Sequence, residues 1–335
     1  MQSSPWKYRL SVVVIGHNEG SRLQKCLTSI MRMQPIDGFS EIIYVDSAST
    51  DDSVSVALSS NVKVLYATSS KQTAALGRNI GWRAAQGEII LFLDGDTILD
   101  PNFVSNSLSK FVDSNIAVIC GNRRELYPEA SIYNRVVDLD WIFPPGDVKY
   151  CGGDALIRRS VLEEVGGYDA SLLAGEEPEM CWRICSKGYR ILRVDALMTH
   201  HDVAMKSFSQ YWKRAFRSGY GYAEVCSRFA DTQDPIFSSA SKKNKVKASI
   251  ILVGFVLWIF FIWHFKSAYI VLAVFPVILL LVFRTAIKAR WKSERWGCLL
   301  LYACHSLFIH IPIFFGQLAF LCGQHNRRWK FSKDR

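Results

Sequence analysis

Hydrophobic and polar positions alternate in blocks along the first half of the chain, and the spacing within each block indicates its secondary structure. Short, continuous apolar runs are typical of strands buried on both faces, and they are separated by stretches with apolar residues at helical spacing. The predicted strands cover residues 10–15, 41–45, 62–66, 88–93 and 116–120, and the predicted helices cover 21–33, 51–58, 76–85 and 102–111. This alternation predicts an α/β fold, a mostly parallel sheet with flanking helices on both faces.

The fourth predicted strand ends in two aspartates, Asp94 and Asp96, that flank a glycine. Open parallel sheets bind ligands at the carboxyl ends of their strands. Side chains two residues apart in an extended backbone point the same way, so both carboxylates can face one bound group. Such a pair suits Mg²⁺ or Mn²⁺ held jointly with substrate phosphates. The alternative is a solvated loop in which Asp94 and Thr97 cap the next turn.

Polar residues also follow the first two predicted strands. Asn18 and Glu19 come after the first strand, and Asp46 closes the second. Because carboxyl ends of parallel strands meet at one edge of a sheet, we expect these residues on the same rim as the aspartate pair. A buried aspartate there can accept hydrogen bonds from a nucleobase or ribose. Each residue taken alone is also consistent with a turn or a helix N-cap.

Residues beyond 240 follow a different pattern. Two long apolar stretches within residues 249–283 are separated by only a few residues, which predicts a helical hairpin in a membrane. A third apolar stretch, residues 297–322, contains Pro312 and Gly316 and has basic residues on both sides. It is consistent with a spanning helix and equally with a bent, re-entrant or interface-lying segment.

The net charge of +10 is concentrated around these apolar stretches, at residues 242–247, 284–295 and 327–335. That distribution favours anionic membrane lipids as partners and argues against nucleic acid. Basic flanks are usually cytoplasmic, and nine scattered cysteines favour a reducing compartment. The N-terminal residues lack the apolar core of a signal peptide. We therefore expect a multi-pass protein of the inner (plasma) membrane whose first domain is cytoplasmic.

These patterns divide the chain into three predicted parts. An α/β domain covers residues 1–235, a basic linker covers 236–248, and a membrane-associated helical region covers 249–335. Within residues 208–217, aromatic residues at helical spacing alternate with basic ones. This stripe fits a helix lying on the membrane interface, and it fits an amphipathic helix packed on a protein core as well.

Five segments between residues 10 and 225 read, in order, SVVVIGHNE, EIIYVDSASTDDSV, GRNIGWRAAQGEIILFLDGDT, CGGDALIRRSVLEEVGGYD and GEEPEMCWRICSKGYRILRVDALMTHHD. Together they resemble glycosyltransferase family 2, whose members are inverting enzymes of the GT-A fold that use nucleotide sugars. The resemblance implies a Rossmann-like GT-A domain and a nucleotide-sugar donor. It also implies Mn²⁺ or Mg²⁺ as the cofactor.

The resemblance assigns the rim residues to a nucleotide-sugar site, namely Asn18, Glu19, Asp46, Arg78 and Asp94. Arg78 is expected near the diphosphate, although a solvated helix arginine is the usual alternative. Of the aspartate pair, Asp94 is expected to contact the ribose and Asp96 to bind the metal. In many GT-A enzymes a histidine completes the metal site. Here two adjacent histidines close the predicted strand 190–198, and we assign this position to His200.

The chemistry also needs a base, because a sugar hydroxyl is a poor nucleophile until it loses its proton. The resemblance aligns Glu177 with this base, where the family usually has aspartate, and Glu176 and Glu179 remain open candidates. Acidic residues at a helix start also stabilise the helix dipole, so a purely structural interpretation exists. On the acceptor side, the resemblance points to Gly153 and Asp154, although Asp154 fits a turn as well.

We therefore expect an inverting transferase that moves a sugar from a nucleotide-sugar donor to an acceptor. The expected acceptor is a lipid-linked or other saccharide in cell-envelope or exopolysaccharide synthesis. Transfer onto polyprenyl phosphate is one alternative, and a non-catalytic membrane scaffold is another. Processive members of the family carry a Gln-x-x-Arg-Trp motif, from which the segment following Gln210 departs.

Overall fold

The computed structural model describes residues 9–36, 38–69, 71–230, 232, 237–265 and 268–325. The chain forms two compact units. The first unit comprises the chain up to residue 127 together with residues 141–204, and the second comprises residues 128–140 and the chain from residue 205 onward.

The first unit contains a mixed sheet, which has nine strands among the described residues. They are β1 (Leu10–Gly16), β2 (Phe39–Asp46), β3 (Lys63–Tyr66), β4 (Ile89–Asp94), β5 (Thr97–Leu99), β6 (Ile116–Glu125), β7 (Gly146–Val148), β8 (Ala155–Arg158) and β9 (Arg190–His201). The order is β3-β2-β1-β4-β8-β6-β9-β5, and β7 pairs with another part of β9. Strands β1 to β4 are parallel, as are β6 and β9, whereas β8 runs antiparallel to β4 and β6.

Helices cover the sheet of the first unit. They are α1 (Ser21–Met31), α2 (Ser53–Ser59), α3 (Ala74–Ala84), α4 (Phe103–Leu108), α6 (Arg159–Val165) and α7 (Glu176–Ser186), while α5 (Ile132–Asp140) belongs to the second unit. Alternate residues of β4 enter two different cores. Ile90 and Phe92 lie in one core, and Leu91 and Leu93 lie in the other. A strand buried on both faces in this way confirms the predicted α/β architecture.

Glycines let α3 lie close against the sheet. A Cβ on Gly81 would lie 3.2 Å from Val45 of β2 and closer still to Val13 of β1, so only a glycine allows this approach. Thr73 caps the helix by accepting a hydrogen bond from the backbone N–H of Leu76 at 3.2 Å. This tight packing fixes the position of α3, which carries a buried arginine of the candidate site.

The second unit is helical in its described part. Besides α5 it contains α8 (Phe208–Arg228), α9 (Ser238–Phe265), α10 (Ala268–Lys288), α11 (Trp296–Phe308) and α12 (His310–His325). Helix α9 begins at Ser238, so most of the predicted linker 236–248 forms the first part of a long helix. The predicted boundary at residue 235, the turn of the hairpin at residues 266–267 and the basic tail 327–335 lie outside the described residues.

Helix α8 packs closely along α12. A Cβ on Gly219 would collide with the backbone of Ile313, and a Cβ on Gly316 would collide with the backbone of Phe216. Tyr211 of α8 is also buried. The aromatic and basic stripe therefore belongs to a helix packed on protein. Helix α8 therefore belongs to the second compact unit, which includes the chain from residue 205 onward.

The predicted apolar segment 297–322 consists of two helices. Helices α11 and α12 are separated at Ile309, and Pro312 lies in the first turn of α12, where proline is tolerated. By length and composition, Ser238–Phe265 and Trp296–Gly323 could each cross a membrane. Almost none of the apolar part of α9 is buried within the protein, and large exposed apolar surfaces of this kind are typical of interaction with lipid or another protein.

Candidate active site

A group of three potential metal ligands lies where β4 ends. One carboxylate oxygen from each of Asp94 and Asp96 and one ring nitrogen of His201 lie within 4.8 Å of one another. Nε2 of His201 lies 3.3 Å from Oδ1 of Asp96. Carboxylates and imidazole are ligand types used by divalent cations such as Mn²⁺, so this donor set fits such an ion.

The neighbouring His200, to which the resemblance pointed, is not part of this group. Side chains alternate along β9, so His201 shares a face with Thr199 and His200 points to the other face. Thr199 is fully buried and donates a hydrogen bond to Oδ2 of Asp154 at 2.7 Å. The ring of His201 packs edge-on against Trp141, with 5.1 Å between the ring centroids. The candidate third ligand is therefore His201, one residue beyond the predicted one.

The two aspartates differ in their electrostatic surroundings. Burial opposes the charge of Asp94, but Arg78 and Arg123 together outweigh this effect and lower the pKa of Asp94. Burial, followed by the charges of Asp94 and Glu19, raises the pKa of Asp96 to about 8. A carboxyl group in such surroundings ionises readily only when a cation lies beside it. The electrostatics therefore agree with a divalent cation at this position.

Arg78 lies at the centre of the site and is only 2 % exposed. Its Nη2 donates to Oδ1 of Asp94 at 2.8 Å, and its Nη1 lies 3.2 Å from carboxylate oxygens of both Glu176 and Glu177. The guanidinium also lies over the ring of Tyr168, 5.5 Å from its centre. Arg78 therefore joins the aspartate pair to the acidic start of α7. The expected position of Arg78 near a diphosphate stays a prediction.

The three glutamates at the start of α7 have different partners. Arg183 donates to both carboxylate oxygens of Glu179 at 2.7 Å, and the same arginine donates to two backbone carbonyls near the end of α6. Glu176 and Glu177 instead contact Arg78. Burial, followed by the charge of Glu176, raises the pKa of Glu177 to about 7, while Arg78 acts in the opposite direction. A carboxylate with a pKa near neutrality can accept a proton under physiological conditions.

Asp154 and Gly153 support the neighbouring carboxylate. Asp154 is 5 % exposed, accepts a hydrogen bond from the backbone N–H of Asp94 at 3.2 Å and pairs with Nη2 of Arg123 at 2.7 Å. A Cβ on Gly153 would lie 2.9 Å from Oδ2 of Asp94 and closer still to Arg78. Glycine at this position therefore admits the Arg78–Asp94 ion pair. Both residues act on Asp94, and their assignment to the acceptor side stays a prediction.

Asp46 closes β2 on the same rim and is held there by a residue of β2 and by the loop that follows. Its Oδ1 accepts a hydrogen bond from the hydroxyl of Tyr44 at 2.9 Å, and its Oδ2 accepts one from the backbone N–H of Ser49 at 2.8 Å. Asp46 is 2 % exposed. Each carboxylate oxygen has a second lone pair, so this fixed aspartate keeps acceptor capacity.

Asn18 and Glu19 follow β1. Asn18 adopts φ of +55° and accepts a hydrogen bond from the backbone N–H of Thr50 at 2.7 Å, which links the loop after β1 to the loop after β2. Glu19 packs beside the aspartate pair, because a Cβ on Gly95 would lie 3.0 Å from Cγ of Glu19. The structure thus brings both residues to the rim where they were expected.

Arg123 is a site residue that sequence reasoning did not single out. It lies on β6, pairs with Asp154 and has Nη2 3.8 Å from Oδ2 of Asp94. Its guanidinium lies over the ring of Trp141, 5.4 Å from the centre. No sequence motif indicates it. His201, by contrast, was one of two adjacent histidines at a strand end, so the sequence already narrowed the choice to two.

Comparisons with known proteins identify the family. Residues 11–166 match the profile of Glycosyl transferase family 2, and residues 89–315 match that of Glycosyl transferase family group 2. Pre-mycofactocin glycosyltransferase of Mycobacterium tuberculosis is 26% identical over 253 residues, which cover 71% of this chain and 52% of that protein. Glycosyltransferase AglE of Haloferax volcanii is 24% identical, with coverage of 64% and 73%. The chain thus spans about half the length of the first of these relatives.

A solved structure shows the same fold. It is the mannosyltransferase PcManGT from Pyrobaculum calidifontis in complex with GDP-Man and Mn²⁺, with a TM-score of 0.65 and 18% sequence identity. The match covers 91% of this chain and 88% of that one. Together with a family profile that extends over residues 89–315, more than half of the sequence, these findings show that the chain belongs to glycosyltransferase family 2.

Proposed function

We propose that this chain transfers a sugar from a nucleotide-sugar donor to an acceptor hydroxyl, with inversion at the anomeric carbon. The observation that carries the proposal is the pairing of two separate acidic groups through one arginine. Asp94 and Asp96, with His201, form one group, and Glu176 and Glu177 form the other, with Arg78 between them. Glycosyl transfer needs both, because one group must hold the departing diphosphate and the other must take the proton of the acceptor.

The donor's nucleoside would bind on the β1 and β2 side of the rim. The fixed carboxylate of Asp46 offers hydrogen-bond acceptors to a base or ribose, and Asn18 and Glu19 border the same space. Asp94, at the end of the central strand, would contact the ribose. PcManGT, which has the same fold, binds GDP-Man and Mn²⁺. That likeness supports a nucleotide-sugar donor without identifying the base or the sugar.

A divalent cation, Mn²⁺ or Mg²⁺, would be held by Asp96 and His201, with Asp94 beside it. When bound, the ion would neutralise negative charge that develops on the leaving nucleoside diphosphate. The chain's own contribution is to keep the ligands in position. Asp154 holds the backbone of Asp94, and Trp141 packs against the ring of His201.

Glu177 would be the general base. Its pKa, raised to about 7 by burial and by Glu176, suits a group that accepts a proton at neutral pH. As the acceptor oxygen bonds to the anomeric carbon, its proton moves to the Glu177 carboxylate and the bond to the diphosphate oxygen breaks on the opposite face of the sugar. Attack from the side opposite the leaving group inverts the configuration. Glu179, paired with Arg183, would stabilise α7 without taking part in this step.

The acceptor is proposed to be a lipid-linked saccharide of the cell envelope or an exopolysaccharide, used at the cytoplasmic side of the inner membrane. Support comes from the two apolar stretches Ser238–Phe265 and Trp296–Gly323 and from the lysines and arginines around them. The same features would also fit an enzyme that transfers the sugar onto polyprenyl phosphate, which stays the alternative enzymatic proposal. A non-catalytic scaffold is the third candidate, and the intact acidic groups argue against it.

Donor hydrolysis tests the proposal before the acceptor is known. The detergent-solubilised full chain is incubated with Mn²⁺ and UDP-, GDP-, dTDP- and CDP-sugars, and release of nucleoside diphosphate is measured. We expect one nucleotide class to be hydrolysed and the Asp96→Ala variant to lose this activity. Asp195→Ala, which changes an exposed aspartate of β9, is the matched control and should retain it. Absence of hydrolysis and of transfer with every donor would refute the enzymatic proposal.

A further inference from the structure

A cavity of about 120 Å³ opens beside the aspartate pair on the side of β6 and β9. Its lining includes Arg123 and Asp154, which both contact Asp94, together with Trp141, Phe143 and Arg193. A larger cavity, of about 370 Å³, lies at the opposite end of β4 around Gly87 and Glu88. In open α/β sheets the carboxyl ends of the strands bind ligands, so the smaller cavity is the one next to the chemistry.

The order of strands shows which substrate the smaller cavity can take. Asp46, Asn18 and Glu19 lie beyond β1 and β2, on one side of β4, whereas β8, β6 and β9 lie on its other side. If the donor's nucleoside binds on the β2 side, as in the proposed function, the cavity is on the side left for the acceptor. Arg123 connects the two regions, because it lines the cavity and lies 3.8 Å from Oδ2 of Asp94.

Two arginines give this cavity its chemical character. The guanidinium of Arg193 lies over the ring of Phe143 at 4.8 Å, and that of Arg123 lies over the ring of Trp141 at 5.4 Å. Stacking on an aromatic ring restricts each guanidinium while leaving its N–H groups at the edge for a ligand. Arg123 is neutralised by Asp154 at 2.7 Å, but Arg193 forms no ion pair within the described part of the chain. The cavity therefore has one uncompensated positive charge.

We propose that this cavity is an acceptor subsite for an anionic group, a carboxylate or a phosphate, which Arg193 binds with help from Arg123. The inference rests on the proposed transferase function and adds the charge class of its acceptor. Guanidinium groups bind both anions through paired N–H···O hydrogen bonds, so the geometry fits a uronic acid residue and a sugar phosphate equally. Trp141 and Phe143 provide the apolar walls against which the rest of the sugar would pack.

Binding of small probes tests the subsite separately from catalysis. The solubilised full chain is first saturated with Mn²⁺ and the nucleoside diphosphate it prefers, so that a further anion cannot occupy the donor site. Glucuronate, glucose 1-phosphate and methyl glucoside are then titrated by calorimetry. We expect at least one anionic probe to bind about 10-fold more tightly than the neutral glucoside, because a charge-assisted pair is added. Comparison of the two anions distinguishes a carboxylate acceptor from a phosphate acceptor.

Variants of two arginines on the same strand complete the test. Arg193→Gln should remove the preference for anions, and Arg193→Lys should keep part of it. Arg190→Gln, at an exposed position of β9 paired with Asp113 and Asp147, is the matched control and should behave as the unmodified chain. Equal binding of charged and neutral probes, no binding of either anion, or an anion preference that survives Arg193→Gln in a protein with an unchanged melting temperature would overturn the proposal. Because no turnover is measured, loss of the anion preference and loss of catalysis are distinguishable results.

Discussion

Replacement of Arg78 by methionine tests whether one buried cation holds the candidate site together. The arginine contacts Asp94, Glu176 and Glu177 and is itself 2 % exposed. Methionine fills a similar volume but has no charge, so the change leaves three carboxylates close together without their shared cation. We expect the folded first unit to become less stable and the two acidic groups to lose their fixed distance.

The size of the effect follows from the burial of the pairs. Removal of one partner from a buried ion pair costs about 3–5 kcal/mol. The carboxylate side chains are 26%, 10% and 19% exposed, so solvent screens them in part and the lower end, about 3 kcal/mol at pH 7, is expected. Without Arg78, the folded-state pKa of Asp94 rises above that of the unfolded chain, and the pKa of Glu177, already raised to about 7, rises further. The folded variant then binds more protons than the folded unmodified protein, so its loss of stability relative to the unmodified protein shrinks as pH falls from 7 to 5.

Hydrogen exchange of the backbone amides in β4 and α3, measured on the solubilised full chain, reports the local free energy of unfolding. Arg83→Met is the matched control, because Arg83 lies on the same helix at an exposed position and should change stability by less than about 0.5 kcal/mol. A loss below about 1 kcal/mol in Arg78→Met, or a deficit that is the same at pH 5 and pH 7, would refute the claim that Arg78 neutralises these carboxylates.

Three further predictions concern single positions. Glu177→Gln should lower sugar transfer by about 10²–10⁴-fold. The unmodified enzyme should become more active as pH rises through about 7, where Glu177 loses its proton, and a pH–rate profile that is unchanged in the variant would contradict its assignment as the base. His201→Ala should weaken Mn²⁺ binding, measured by electron paramagnetic resonance, by at least about 10-fold. His200→Ala should leave Mn²⁺ binding nearly unchanged, and the opposite ranking would restore the sequence-based assignment. Gly153→Ala should destabilise the protein by about 1–3 kcal/mol in thermal unfolding. Gly152→Ala, where the nearest atom to an added Cβ is 3.9 Å away, should be tolerated, and equal effects would show that the crowding around Gly153 is not limiting.

The central strand and its carboxylates could be predicted because they depend on local sequence. Residues 89–93 are apolar without alternation, which is sufficient to predict a strand buried on both faces, and both cores are found where this requires them. Once the strand is known, the rule that ligands bind at carboxyl ends of parallel strands selects Asp94 and Asp96. Asp46 follows for the same reason at the end of β2.

His201 and Arg123 could not be predicted with the same certainty, because they depend on the register between β6 and β9. This pairing has irregularities next to Asn122, immediately before Arg123. Each irregularity of this kind can reverse the face to which the following side chains point. Counting alternate residues from the start of either strand therefore does not show which histidine or which arginine faces Asp94.

The grouping of α8 with the C-terminal helices could not be predicted, for a different physical reason. Composition predicted a change at residue 235, where polar residues precede the apolar helices. Helix α8, however, packs on α12 through Gly219 and Gly316, two glycines almost 100 positions apart. Contacts between residues so distant along the chain cannot be predicted from local periodicity. The helix itself was predicted from its amphipathic stripe.

The three glutamates at the start of α7 are distinguished by the arginine that each one contacts. Glu176, Glu177 and Glu179 carry the same side chain and are nearly adjacent, so spacing alone left all three open as the base. Arg183, however, follows Glu179 by four residues, the spacing at which side chains on a helix meet. In the structure, Nη2 of Arg183 lies 2.7 Å from Oε2 of Glu179. Once Arg183 is matched with Glu179, only Glu176 and Glu177 can share the buried Arg78. Burial and the charge of Glu176 raise the pKa of Glu177 to about 7, which supports the proposed role of Glu177 as the base.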